Sequence, residues 1–429
     1  MKNAVMDVVI VGAGHAGLSL SYHMKQYDLK HIVFERGCIG ESWRNQRWDS
    51  FRLNSMNRLN MLPGENAGTE PELFQTAKAF ADKLKNYVSQ YALPVIENAM
   101  VISVVKDEDY GIFKIVVKEA GRLNKYFCRQ LVIASGSQNE VKMPAFAKMA
   151  PAGLTQLHSS EFRSASILPE GAVLVIGSAQ SGCQIAEDLA ENGRQVYLST
   201  SMVPRIPRRY RGKDIIDWLL TSGFFDIRTE EIKDPKVFRM TAPQLTGASG
   251  MTISLQSLAT KGVKILGRME TVQGSKAIFE PNAALHVKTA DEFSKNIRAV
   301  IDEYIAKMML PAPPAESDPN DIPDLYADCT SGITMLDLPA NNINTIIWAT
   351  GFMKNYEYLR ALFPVDGDAP AHVNGIAEID GLYFIGLPWL RKRKSGLING
   401  ISEDAEFIAR QIFNCWKFLE RRRRVMSYE

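Results

Sequence analysis

The sequence has little that would commit it to a membrane, a metal or an oxidising compartment. Its 429 residues include five cysteines (Cys38, Cys128, Cys183, Cys329 and Cys415), and no two of them form a CxxC or CxxxxC pair. That spacing argues against a disulfide scaffold, a zinc ribbon and a dithiol redox centre alike. The six histidines are scattered without ligand spacing, so no metal site is expected. No apolar run approaches the roughly 18 residues that suggest a membrane helix, so no membrane span is expected. An excess of one charge is also missing. Lys+Arg number 50 and Asp+Glu 48, a formal +2, which leaves no overall electrostatic footprint for nucleic acid. The chain enters an apolar strand almost at once, with no small-residue cleavage site behind it, and a cytoplasmic protein is expected. What remains is an ordinary globular composition, 46% hydrophobic and 23% charged. At roughly 150 residues per domain, the length allows about three compact units.

Residues 8–11 (Val-Val-Ile-Val) run directly into Gly12-Ala-Gly14-His-Ala-Gly17, then a helical pattern, then the strand His31-Ile-Val-Phe34 ending at Glu35 and Arg36. This is strand, glycine turn, helix, strand, acid. Gly12 permits the tight turn, Gly14 lets backbone approach a pyrophosphate, and Gly17 lets helix and strand pack closely. Amides at the helix start face the phosphates, and Glu35 accepts from ribose hydroxyls. An acid at that place repels a 2′-phosphate.

A second unit begins at residues 173–176 (Val-Leu-Val-Ile) and continues into Gly177-Ser-Ala179-Gln180-Ser181-Gly182 and a helix to about Glu191. Its next strand, residues 195–198, ends at Ser199-Thr200 rather than at an acid, with Arg205, Arg208 and Arg209 following around two prolines. Hydroxyls backed by arginines suit the 2′-phosphate of NADP, and the prolines predict a rigid, exposed turn. Two dinucleotide sites, only the second open to a 2′-phosphate, imply FAD first and NADPH second. The expected fold class is α/β, with two Rossmann-like dinucleotide-binding domains, a small antiparallel β insert and a helical insertion.

The insert is read from three short strands, Val101–Val105, Phe113–Val117 and Phe127–Ile133. The FAD domain is expected over 1–142 and 343–429, and the NADP domain over 143–342. Thr345-Ile-Ile-Trp348 and Ala349-Thr350-Gly351 should return the chain to the first domain. An insertion is expected over about 211–340, with helical periodicity at Ala290–Met309, and reads equally as a substrate cap or as surface decoration. A final helix is expected from about Glu403 to Arg421.

Together these residues resemble the class B flavoprotein monooxygenases, which include flavin-containing monooxygenases, N-hydroxylases and Baeyer–Villiger enzymes. Bacterial flavoproteins labelled as involved in K+ transport are the nearest of these. The likeness covers nearly the whole chain and rests on both glycine motifs, Gly40-Glu-Ser-Trp43, Ala349-Thr350-Gly351, Phe384-Ile-Gly-Leu387 and His158-Ser-Ser-Glu-Phe162. Phe162 stands where the Baeyer–Villiger fingerprint has tryptophan, and Pro151 stands where it has an aromatic. Both departures favour oxidation at nitrogen or sulfur over a ketone.

The resemblance implies an enzyme that uses NADPH and O2 to form a C4a-(hydro)peroxyflavin and oxygenate a small-molecule substrate. It places Asn54 beside the flavin ring as the catalytic amide and Arg52 near it. Trp43 and Arg44 become flavin contacts, with Thr350 and Gly351 also at the cofactors. Arg47 is a further candidate for anionic contacts, and the run Arg391–Lys394 either attracts a carboxylate or forms a solvated loop. An NADPH–flavin oxidase or reductase, or a flavin-binding regulator without turnover, stays open at this stage. The sequence is compatible with a homo-oligomer.

Overall fold

The computed structural model describes residues 5–247, 250–364 and 371–426. Valine-rich β1 (Val5–Val11) lies at the centre of the first sheet, with Val8, Val9 and Ile10 wholly buried. It leads into α1 (His15–Gln26) and β2 (His31–Phe34), followed by the short α2 (Glu41–Asn45) and α3 (Ala77–Tyr91). The Thr76 hydroxyl accepts from the Ala79 amide and starts α3, and a cap of this kind contributes about 1 kcal/mol. The helix buries Ala77, Phe80, Ala81, Leu84 and Tyr87, the stripe that helical periodicity puts on one face.

β3 (Val95–Ile96) lies beside β2, and β4 (Ala99–Asp107), β5 (Ile112–Glu119) and β6 (Arg122–Ile133) form the antiparallel insert. β6 serves two sheets' worth of pairing. Its first residues run antiparallel to β5, and Phe127–Ile133 run parallel to β1. The strand Leu382–Phe384 pairs parallel to β6 on the other side.

The second sheet has five parallel strands in the spatial order Lys264–Leu266, Val196–Ser199, Ala172–Ile176, Ile343–Trp348 and Thr155–His158. α4 (Gln180–Glu191) connects Ala172–Ile176 to Val196–Ser199. Parallel strands covered on both faces read as continuous apolar runs, which is why Ala172–Ile176, Val196–Ser199 and Ile343–Trp348 were legible as strands. Their sheet was not. Ile343–Trp348 belongs to the second sheet, paired to Ala172–Ile176 and Thr155–His158, so the chain leaves that unit after Ala349 and not at 342.

The expected insertion is also not one block. Lys264–Leu266 is an edge strand of the second sheet, and Met269–Gln273, Lys276–Phe279 and Met335–Asp337 form a separate antiparallel layer. The remainder carries α5 (Ile215–Thr221), α6 (Leu255–Thr260) and α7 (Ala283–Lys307). α7 starts seven residues before the expected 290 and buries Val287, Ala290, Ser294, Ile297 and Ile301 along one stripe. Ile297 and Ile301 pack with Ile206, Tyr210, Ile215, Trp218 and Leu219 in a small core of their own. α8 (Ile398–Met426) ends the described chain.

Candidate active site

The two glycine turns are built alike. Gly12 has φ +110°, and a Cβ there would lie 2.5 Å from the Ala134 carbonyl oxygen. A Cβ on Gly17 would lie 1.9 Å from the Gly12 carbonyl oxygen, so α1 and its strand approach as only glycine allows. In the second turn, a Cβ on Gly177 (φ +106°) would lie 2.5 Å from the Ala349 oxygen, and one on Gly182 would collide with the Gly177 oxygen. Gly14 differs: no atom lies within 4 Å of its added Cβ. Gly14 is the N-cap of α1 and Ala179 that of α4, neither with a side-chain cap, so the first amides of both helices stay available to phosphate oxygens.

Glu35 accepts from the Ala13 amide at 2.9 Å and the Gly37 amide at 3.0 Å. Burial pushes its pKa up, opposed by those two amides. Open space over Gly14, an uncapped helix and a carboxylate at the end of β2 together fit the pyrophosphate and ribose of FAD. His15, which sequence reasoning passed over, opens α1 beside them. Burial lowers its pKa to about 4 against a hydrogen bond to the Gly396 backbone, so the ring is neutral at physiological pH, and its Nε2 is buried without a partner.

These groups line a cavity of about 1120 Å³ that continues well past the dinucleotide turns. Gly12, Gly14, Glu35, Arg36, Trp43, Arg47 and Asn54 line it from the first unit, and Gln180 from the second. Trp43 stands edge-on to Phe80, with ring centroids 5.1 Å apart, and the Arg47 guanidinium lies 5.3 Å from the Trp43 ring. Arg47 donates to the Gln46 carbonyl at 2.8 Å and to Gln138 at 3.2 Å, and burial lowers its pKa to about 10.

Asn54 accepts at Oδ1 from Gln184 Nε2 at 3.2 Å, and its carbonyl accepts from Arg208 at 2.7 Å. Its Nδ2 is thereby left as the donor available to the cavity. Beyond it, Ile206 and, from the insertion, Leu219, Phe224, Phe225, Phe238 and Phe293 wall an apolar chamber. No periodicity could have shown this, because those residues come from four separate stretches of chain.

Other expected residues are elsewhere. Arg44 does not line the cavity and pairs with Asp82 at 2.7 Å. Arg52 alternates with the cavity-lining Phe51 and Leu53, so its exposed side chain turns away and donates to the Phe74 carbonyl at 2.8 Å. Thr350 donates to the Lys142 carbonyl, and the Gly351 carbonyl accepts from His158 Nε2 at 2.9 Å, so both serve the crossing between units. That bond makes His158 the Nε2–H tautomer, and burial lowers its pKa.

The residues after the second turn lie further from their expected places. Ser199 donates to the Gly267 carbonyl at 3.0 Å, and the Thr200 hydroxyl lies between the Leu266 carbonyl at 2.6 Å and His286 at 2.9 Å; both residues are buried. Arg205 and Arg208 do not stand in an exposed turn. Arg205 is wholly buried, paired with Asp291 at 2.7 Å and with Asp321, and Arg208 is 2% exposed and paired with Asp214. The carboxylates come from α7, the linker after it and the residue before α5, distant segments that the local sequence does not reveal. Ser181 and Arg209 remain exposed, as does Arg268, two residues beyond the edge strand Lys264–Leu266.

Residues 9–216 match the model of the pyridine nucleotide-disulphide oxidoreductase family. The chain is 30% identical over 413 residues to an uncharacterised CzcO-like oxidoreductase of Geobacillus kaustophilus, covering 96% of this chain and 99% of that one. It is 28% identical over 216 residues to a probable indole-3-pyruvate monooxygenase, YUCCA3, of Arabidopsis thaliana, covering 49% of each. Among solved structures, a flavin-containing monooxygenase from Stenotrophomonas maltophilia superposes with a TM-score of 0.63 at 17% identity, over 95% of this chain and 98% of that one.

Proposed function

The chain belongs to the CzcO-like oxidoreductases of the class B flavoprotein monooxygenase family, which makes it an FAD- and NADPH-dependent oxidoreductase, and we propose that it oxygenates a small substrate held in the apolar chamber. The observation that carries this reading is the continuity of one cavity from the Gly12–Gly17 turn, past Asn54, into the chamber walled by the insertion. Bound FAD supplies oxygen activation there, and NADPH supplies the hydride that reduces it.

The chain's own residues then have separable roles. Gly14 and the first amides of α1 hold the pyrophosphate, and Glu35 holds the ribose. Arg47, over Trp43 and Phe51, supplies positive charge where anionic flavin is held. Asn54 donates from Nδ2, and an amide can orient an oxygen or a substrate without protonating it. Phe224, Phe225, Phe238 and Phe293 keep water from the reacting end of the cavity.

Uncharged donation suits transfer to a lone pair on nitrogen or sulfur. Phe162, where a Baeyer–Villiger enzyme has tryptophan, is wholly buried against Trp48 with ring centroids 6.4 Å apart, and this supports the same preference. The amides at the start of α4 face the NADPH pyrophosphate, and Arg209 and Arg268 are the exposed cations suited to its 2′-phosphate.

A panel of amines, thioethers and ketones tests the reading, with NADPH consumption scored against peroxide release and labelled oxygen traced from O2. Incorporation of one labelled oxygen into an amine or thioether supports it. Peroxide equal to the NADPH consumed with every compound would make the protein an oxidase instead.

A further inference from the structure

The basic run Arg391-Lys-Arg-Lys394 adjoins the chamber, and three of its four charges are already answered. Arg391 pairs with Asp404 at 3.4 Å. Lys392 reaches Asp226 at 2.8 Å and Glu403 at 2.9 Å, and Lys394 reaches Asp226 at 3.0 Å and also Glu403. Arg393 is the exception. It lines the cavity, and among the described residues no carboxylate pairs with it.

Its guanidinium is held between two rings, 4.1 Å from the Phe224 centroid and 4.7 Å from the Trp389 centroid. Its Nε is buried without a hydrogen-bond partner, and burial lowers its pKa while an arginine remains charged at neutral pH. Aromatic faces offset only part of the desolvation of a cation, so this charge stays short of a counter-ion.

The surroundings are built to hold it there. The Arg393 amide donates to the Ile227 carbonyl at 2.9 Å, the Thr229 amide to the Arg391 carbonyl at 3.0 Å, and the Lys394 amide to the Phe225 carbonyl at 3.2 Å. Insertion and first unit thus form a clasp with Arg393 in it. Trp389 sits at φ +57°, a left-handed conformation that a bulky residue adopts at a cost, and its carbonyl accepts from the Thr229 hydroxyl at 2.7 Å.

Resting on the reading of the chamber as the substrate site, we propose that the substrate is an apolar, carboxylate-bearing molecule whose carboxylate pairs with Arg393. Phe224, Phe238, Phe293 and Leu245 take the apolar body. The other cavity arginines are placed differently: Arg36 donates to the Asn139 carbonyl at 3.3 Å, and Arg47 lies among the flavin-side aromatics.

Calorimetric titration of the FAD-loaded protein with 3-phenylpropanoate and with its neutral amide, 3-phenylpropanamide, tests this without turnover. The acid should bind roughly tenfold or more tightly than the amide, the size of a charge-assisted contact. Arg393→Met should abolish that preference while leaving affinity for the amide within about twofold, and Arg393→Lys should restore part of it. FAD content and melting temperature certify that each variant is folded, and Arg393→Gln replaces the methionine variant if it is not. Equal binding of acid and amide by the native protein, absence of acid binding, or a preference that survives loss of the charge overturns the proposal. Because this is equilibrium binding, a protein that binds the acid but never transfers labelled oxygen would sink the monooxygenase reading and leave the carboxylate site standing.

Discussion

Asn54 and Arg208 are joined by one hydrogen bond, yet their substitution should have opposite signatures. Asn54 faces the cavity, and its amide is the group placed to donate there. Asn54→Ala should leave reduction of the flavin by NADPH intact and raise the peroxide released per NADPH consumed; an unchanged ratio would remove Asn54 from the chemistry. Arg208 is buried between Asp214 and the Phe74 ring, 4.5 Å from its centroid, and holds the Asn54 carbonyl. Burial lowers the pKa of Arg208 and raises that of Asp214, and their mutual attraction opposes both shifts. Removing one member of such a pair leaves a buried, uncompensated charge, a loss of about 3–5 kcal/mol. Arg208→Met should therefore lower the chemical-denaturation midpoint sharply without favouring NADH over NADPH. A selective loss of NADPH with unchanged stability would return Arg208 to the 2′-phosphate, where its position in the sequence suggests it belongs.

At the scale of elements, the two helix starts separate close packing from ligand space. A Cβ at Gly17 collides with the Gly12 carbonyl, which is backbone and cannot yield, whereas Gly14 has φ −80° and an empty neighbourhood. Gly17→Ala should prevent folding of the first unit. Gly14→Ala should preserve the melting temperature of the FAD-free protein and weaken FAD, read from retained flavin; full FAD content would place the pyrophosphate elsewhere. In the second unit, replacing Arg209 and Arg268 together by alanine should weaken NADPH roughly tenfold or more relative to NADH, because a charge-assisted phosphate contact is lost. Equal losses for the two nucleotides would reject that assignment. Cofactor turns of this kind are legible because glycine spacing reports steric contact within a few residues. The partners of Arg205 are not legible, since Asp291 and Asp321 lie on α7 and in the segment after it.

The whole molecule should carry a pH dependence written by burial. Burial lowers the pKa of every histidine in the chain, His15 most, with His23, His31, His158, His286 and His372 displaced the same way. The folded state thus holds neutral rings where the unfolded chain takes up protons below about pH 6.5. This contribution is complete above that value and is lost as pH falls towards the lowered values, each tenfold weakening of proton binding being worth about 1.4 kcal/mol. Glu35, Asp188, Asp214 and Asp404, raised by burial, act in the opposite sense nearer the carboxylate range. The melting temperature should fall between pH 6.5 and about 5, and a flat profile there would show that the rings titrate freely. Sequence alone determined the two dinucleotide turns, their strands, the acid at Glu35 and the want of a dithiol, because each depends on residues close along the chain or on simple counting. The tertiary structure alone decided that Arg205 and Arg208 are buried in ion pairs, that Arg44 pairs with Asp82 and Arg52 turns outward, and that the insertion walls the chamber. Those outcomes depend on which distant segment supplies the counter-charge or the facing side chain, and contacts across the fold leave no period in the sequence.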